Sequence, residues 1–248
     1  MNTLIIDHRM RNDEKKILKS IGYNLIELPE NENVYYEISS HVDIFACLVK
    51  DTLVLEEKTY ELLENVIHNN SNINIVKGKS MARGDYPNDV RYNVCIVGKY
   101  AIGNFKFVDD VLKEVIAEKS LEKININQGY SKCSIGVLDN RNVVVTDEGI
   151  ANVLSSYDLD VTLVKMKEKQ SIKLYNNEHV YSSMYGFIGG CMARLSKGMF
   201  FSFDILNKNN FYNESNFYKI VDLLDKKNIP IIQNQNKDII DYGGIIEI

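Results

Sequence analysis

Apolar residues in this chain fall into short runs that alternate with stretches of helical spacing. The first run, residues 3–7, reads as a strand. Asn12 reads as a helix cap, with Asp13 and Glu14 in the first turn and Ile17, Leu18 and Ile21 on the apolar face. Gly22 ends that helix. Residues 24–28 alternate as a second strand, and Pro29 stops it. Two apolar runs, 44–49 and 52–55, then flank the turn dipeptide Lys50-Asp51 and predict a hairpin. A helix with Leu62, Leu63, Val66 and Ile67 on one face follows, then a strand at 73–76.

The same order recurs. Hairpin 92–103 leads to a helix capped near Asp109, carrying Val111, Leu112, Val115 and Ile116, and to a strand at 124–127. Hairpin 132–146 turns at Asp139-Asn140-Arg141 and leads to a helix from Asp147 and a strand at 161–164. Hairpin 187–205 turns at Ser196-Lys197-Gly198, and a helix with Phe217, Ile220, Val221 and Leu224 precedes a strand at 229–232, whose Pro230 predicts a sheet edge. Cys47, Cys95, Cys133 and Cys191 stand at what reads as one position of the repeat. The tail, 239–246, is one further apolar segment without a helix, and the first unit lacks half a hairpin. Together they predict an α/β fold of five ββαβ units with pseudo-fivefold symmetry. The termini close the ring and no sheet edge is left exposed. Residues 1–248 read as a single domain, and linkers 30–40, 77–91 and 166–184 read as loops over one mouth.

Composition narrows the function. With 29 Lys and Arg against 34 Asp and Glu, the formal charge is −5, which argues against nucleic acid or an anionic membrane as partner. No stretch approaches the ~18 apolar residues that span a bilayer, and the first residues turn polar too soon for a signal peptide. Four cysteines without paired spacing argue for free thiols in a reducing cytoplasm and against a structural zinc site. Gly189-Gly190 and Gly243-Gly244 precede strands, so neither is a phosphate loop. His8, His68 and His179 have no partner at useful spacing and read as surface residues.

His41-Val42-Asp43 opens the second unit, Gly129-x-x-x-Cys133 the fourth, and Asp241-Tyr242-Gly243-Gly244 precedes His41 around the ring. This set resembles the pentein, or GME, fold of the guanidino-group-modifying enzymes, which include dimethylarginine dimethylaminohydrolases and arginine deiminases. The order of motifs looks like a circular permutation of the enzyme pattern, and the chain is identified as a member of an uncharacterised GME-fold domain family. The resemblance implies an α/β propeller in which Cys133 attacks a guanidino or amidino carbon, His41 moves protons and Asp241 binds a substrate nitrogen. It also implies substrate-binding roles for Asp43, Arg9, Arg11 and Asn12.

An ungapped match of the glycine pair would put Tyr242 rather than Asp241 at the acid position. Gly190 and Ile245 stand where the enzymes carry acids. From that comes the expectation that arginine, methylarginine and agmatine are poor substrates, because a cation losing its hydration needs full replacement. A free thiol with a pKa of about 8.5 needs a cationic histidine or a bound cation to become the nucleophile. No metal and no cofactor is required. The expected partner is a small-molecule substrate or ligand, and oligomerisation stays open. The alternative is a non-catalytic pentein binding module that has lost part of its guanidinium site. A cavity lined by both Cys133 and His41 would separate the two.

Overall fold

The computed structural model describes residues 2–71, 73–166, 172–174, 184–207, 214–235 and 238–248. Strand β1 (Thr3–Asp7) leads through helix α1 (Asn12–Ser20) to β2 (Asn24–Leu28), which lies parallel to β1. A helical turn, α2 (Val42–Phe45), opens the second unit: β3 (Ala46–Val49), β4 (Thr52–Leu55), α3 (Glu57–Asn70) and β5 (Asn74–Lys77). The third comprises β6 (Cys95–Val97), β7 (Tyr100–Gly103), α4 (Asp110–Glu118) and β8 (Glu122–Asn125). The fourth has its own entry turn, α5 (Ser131–Ser134), before β9 (Ile135–Val137), β10 (Asn142–Val145), α6 (Glu148–Leu154) and β11 (Asp160–Leu163). After β12 (Ile172–Lys173) the fifth unit runs β13 (Met192–Leu195), β14 (Gly198–Phe201), α7 (Glu214–Lys226) and β15 (Ile231–Ile232). The strands β16 (Ile239–Ile240) and β17 (Ile246–Glu247) follow.

In the second to fifth units an antiparallel hairpin receives, in parallel, the strand after its helix, giving the orders β3-β4-β5, β6-β7-β8, β9-β10-β11 and β13-β14-β15. The first sheet gets its antiparallel strand from the far end of the sequence. β17 pairs with β1, Ile5 opposite Ile246, in the order β17-β1-β2. A small parallel pair, β12 with β16, forms a sheet of its own. The carboxylates of Glu56, Asp109 and Asp147 accept from Thr59, Leu112 and Ile150 N–H, so α3, α4 and α6 each begin on an acid that satisfies an otherwise orphaned donor.

Among the described residues five apolar clusters hold the sheets, each joining two of the three-stranded ones, and Ile172 and Ile239 of the β12–β16 pair add to the one between the fourth and fifth units. Ile5 and Leu28 of the first sheet pack with Leu53, Leu63 and Ile67 of the second unit. Val54 of the second packs with Ala101 and Leu112 of the third, and Ile102 of the third with Val143 and Leu154 of the fourth. Val144 of the fourth packs with Phe201 and Leu224 of the fifth, and Phe200 and Ile232 of the fifth with Leu4 and Leu18 of the first. Each long helix thus fills the gap between its own sheet and the preceding one. Burial of such side chains contributes roughly 1.5–3 kcal/mol apiece.

Several expectations change. The hairpin strands are shorter than their apolar runs, because residues 42–45 and 131–134 coil into turns first. The four cysteines therefore do not share a register. Cys47 is the second residue of β3 and Cys95 the first of β6, whereas Cys191 lies one residue before β13 and Cys133 two before β9. The tail is two strands in different sheets, since Gly243 and Gly244, at φ +66° and +73°, break the extended chain between them. Arg11, not Asn12, is the N-cap of α1 and makes no side-chain cap bond. Leu62 and Val66 are 53% and 40% exposed while Leu63 and Ile67 are buried, so the core stripe of α3 is the 63/67 row alone. β15 does sit at a sheet edge, as Pro230 predicted. His179 and most of linker 166–184 lie outside the described residues. No helix among the described residues is long and apolar enough to cross a membrane.

Candidate active site

The entry turn α5 decides where the sulfur of Cys133 goes. Ser131 N–H donates to Gly129 C=O and Ser134 N–H to Tyr130 C=O, at 2.8 and 3.0 Å, which curls the backbone before β9. The side chain of Asn93 meets this turn. Its Oδ1 accepts from the N–H groups of Lys132 (2.7 Å) and Cys133 (3.3 Å). The amide is thereby oriented, and its Nδ2 donates to Asp43 C=O at 3.1 Å and to Cys133 Sγ at 3.2 Å. The thiol itself donates to Asp43 Oδ2 at 2.9 Å. Asp43 is the second residue of α2, the matching entry turn two units earlier.

His41 precedes α2 and is buried at 1% exposure. Its Nδ1 is 3.9 Å from Asp241 Oδ1 and its Nε2 is 3.9 Å from Asp7 Oδ2. Both gaps exceed a hydrogen bond, and neither ring nitrogen has a hydrogen-bond partner among the described residues. Asp7 is held instead by the guanidinium of Arg9 at 2.7 Å. The carboxylate of Asp241 is fixed by the N–H groups of Gly243 and Phe187, each at 2.8 Å.

Two glycines make this arrangement possible. An ideal Cβ on Gly190 would lie 1.7 Å from Asp241 Oδ1, so the carboxylate of Asp241 occupies the space a side chain at 190 would take. A Cβ on Gly243 would lie 2.5 Å from the Cβ of His41, and the residue has φ +66°. The carboxylate of Asp241 thus lies directly against the backbone of Gly190.

His41, Cys133 and Asp241 line one cavity of about 980 Å3. Tyr130 and Phe187 form part of its wall, their rings stacked with centroids 5.8 Å apart and an interplanar angle of 26°. Tyr130 is anchored behind the wall by a short hydrogen bond from its hydroxyl to the buried carboxylate of Asp89. Gln128, Thr146, Glu148 and Lys165 add polar lining.

Burial dominates the electrostatics. It pushes the Cys133 thiol well above its ordinary value, and the negative charges of Asp43 and Asp241 push the same way. Burial lowers the His41 imidazolium, with Asp241 and Asp7 acting against it. Burial and then Asp241 raise Asp43 to about 7, against the pull of Lys132. A neutral thiol beside a neutral imidazole is the resting state near neutral pH. Added positive charge in the cavity would favour the thiolate.

The structure brings together Cys133, His41, Asp43 and Asp241. Asp43 reaches the thiol from behind the cavity wall, and neither it nor Arg9, Arg11 or Asn12 is part of the lining. Arg9 is engaged with Asp7 and the carbonyls of Tyr36 and Glu37. Arg11 binds Glu14 Oε1 at 2.6 Å and the carbonyl of Ser202, while Asn12 is exposed. Tyr242 donates to Glu14 Oε2 at 2.9 Å, so Asp241 is the member of that dipeptide that reaches the cavity. Asn93 was not found from the sequence. The one signal was its place just before Cys95, equivalent by repeat to residues near His41 and Cys133. Among the described residues no group of three or more His, Cys, Asp or Glu could hold a metal ion.

The family described as "Family of unknown function (DUF6873)" matches residues 5–246. The chain belongs to this family. This DUF6873 chain has the pentein fold: it superposes on a crystal structure of dimethylarginine dimethylaminohydrolase with a TM-score of 0.57, at 9% identity, over 94% of this chain and 92% of that one. It is also similar to C. jejuni agmatine deiminase, with a TM-score of 0.50 and 10% identity over 94% and 76% of the two chains. A substrate-bound form of that deiminase gives 0.51 at 9% identity over 99% and 92%. Likeness at such identities establishes the fold alone. No curated protein sequence matches the DUF6873 chain.

Proposed function

We propose that this protein is a cysteine-dependent hydrolase or transferase acting on a small guanidino or amidino compound. The observation that carries the reading is a single cavity lined by a buried thiol, a buried histidine without hydrogen-bond partners and a fixed carboxylate. Buried polar atoms left unpaired are costly, so their presence on a cavity wall points to a ligand that completes them. Asp241, on the cavity wall, supplies the negative charge that an amidinium would meet. The Cys133 sulfur attacks the central carbon, and the proton it gives up is relayed through His41 to the departing amine. Water then releases the remaining group from sulfur, with His41 as base. The fold shared with dimethylarginine dimethylaminohydrolase and agmatine deiminase is consistent with this chemistry, by analogy only. The carboxylate of Asp241 lies against Gly190, while Ile245 still stands where the enzymes carry an acid, so arginine, methylarginine and agmatine stay the poorer candidates.

The same reading includes a closed ring of five ββαβ units forming one domain, with His41 and Cys133 two units apart around it. Its support is the cycle of five shared clusters and the pairing of β1 with β17. Removing residues 244–248 would open such a ring, and an unchanged melting temperature after that deletion would overturn it.

The catalytic reading is tested by incubating the protein with arginine, methylarginine, agmatine and simple amidines, with Cys133→Ser as control. Amine or ammonia release from the simple amidines at about 1–10³ per second, lost in the control, is the expected outcome, with arginine, methylarginine and agmatine turned over poorly. Saturable binding of these compounds with neither turnover nor a covalent adduct by intact mass would instead establish the binding-module alternative.

A further inference from the structure

We propose that Asp43, not His41, takes the thiol proton of Cys133, and that Asn93 holds the thiolate so formed. This rests on the reading of Cys133 as the nucleophile. The thiol points at Asp43 Oδ2, 2.9 Å away, whereas no hydrogen bond joins it to His41. In the transfer the S–H bond breaks, an O–H bond forms on Asp43 and the electron pair stays on sulfur. One negative charge moves from oxygen to sulfur, and the pair keeps its total charge.

Transfer to His41 would instead create an imidazolium and a thiolate beside a carboxylate that is already negative. Separating charge in a buried site is the more expensive course.

Asn93 is built for the product. Two backbone N–H groups fix its Oδ1, so its NH₂ must face the sulfur whether or not the proton is present. An N–H donor is of modest use to a thiol and strengthens toward a thiolate. The other groups around the pair are Asp241 from the segment before β17, Lys132 on α5, His41 before α2 and Tyr130, whose hydroxyl is tied to Asp89. The Asp7–Arg9 ion pair stands behind His41. Lys132 is the one cation among those acting on Asp43, and its Nζ reaches Gly189 C=O at 3.4 Å. The proton that Asp43 takes is the one the departing amine finally carries, and His41, still neutral, is left to relay it.

The test is the rate of iodoacetamide labelling of Cys133, read by intact mass without substrate, from about pH 5 to about pH 10. Two groups sharing one proton titrate as a pair, so the rate should rise to a plateau with a midpoint near neutrality and rise again in alkali. Asp43→Asn should remove the lower step and slow labelling at pH 7 by ~10-fold or more. Asn93→Leu should lower the plateau several-fold, and His41→Ala should leave the step in place within about twofold. A single rise without a neutral step in the unsubstituted protein, or loss of the step in His41→Ala, overturns the assignment. Neither measurement depends on Asp43→Asn folding. Failure of the catalytic reading shows separately, as absent amidine turnover with the neutral step intact.

Discussion

Cys133 and Cys95 are both buried free thiols pushed above their ordinary pKa by burial, yet their surroundings differ in kind. Cys95 is the first residue of a strand, packed among Ile102, Ile124 and Ile135, and its sulfur reaches only a carbonyl 4.0 Å away. Cys133 sits in a helical turn, between a carboxylate that can take its proton and an amide that can hold its charge. A strand buries its inward side chain against the neighbouring sheet, whereas a turn can present one to a cavity. Backbone context, more than burial, separates the two thiols.

The largest effect should come from Cys133→Ser. Iodoacetamide labelling of the native protein should fall to background, because the other three thiols become accessible only on local opening. Labelling that persists at Cys95 or Cys47 would erase the distinction.

Asp43→Asn should change how stability depends on pH. The Asp43 carboxyl releases its proton at about 4 when unfolded and about 7 when folded. Between those values the native state holds more protons, so stability falls as pH rises through that window. The loss is on the order of a few kcal/mol, since each tenfold difference in proton affinity is worth about 1.4 kcal/mol. Urea midpoints at pH 5 and pH 8 should converge in Asp43→Asn, and an unchanged difference would place the linkage elsewhere.

Gly190→Ala should cost about 1–3 kcal/mol, since Asp241 must move to admit the methyl group. The change in urea midpoint measures this, and amidine binding should weaken with it. Cys95→Ala is the smallest, at about 1 kcal/mol, with the labelling profile of Cys133 unchanged. A changed profile would mean that the strand and the turn are coupled.

Much of this contrast was legible beforehand. Residues 44–49, 92–103 and their counterparts carried the hairpin order, and acid-headed helices at Asp109 and Asp147 stood out by their caps. His41, Cys133 and Asp241 were grouped by their resemblance to the guanidino-group-modifying enzymes, and they line one cavity. The entry turns were missed because Val42-Asp43-Ile44-Phe45 is as apolar as a strand, and four residues are too few for periodicity to decide. Arg9 and Arg11 were placed near substrate by motif. The buried acids Asp7 and Glu14 claim them, a pairing fixed by packing that sequence distance does not reveal. Asn93 was missed because its partners lie about forty residues away in another unit.

The interlock of Gly190 with Asp241 has an evolutionary consequence. A buried carboxylate can approach a neighbouring segment this closely only where that segment carries hydrogen in place of a side chain. Substitutions at the two sites are then strongly epistatic. Gly190→Asp alone forces two carboxylates into one volume, and Asp241→Gly alone leaves a hole with unpaired N–H groups on Gly243 and Phe187. The double exchange should recover part of what each single change loses. A carboxylate can therefore migrate between segments of this fold only through an unfavourable intermediate sequence.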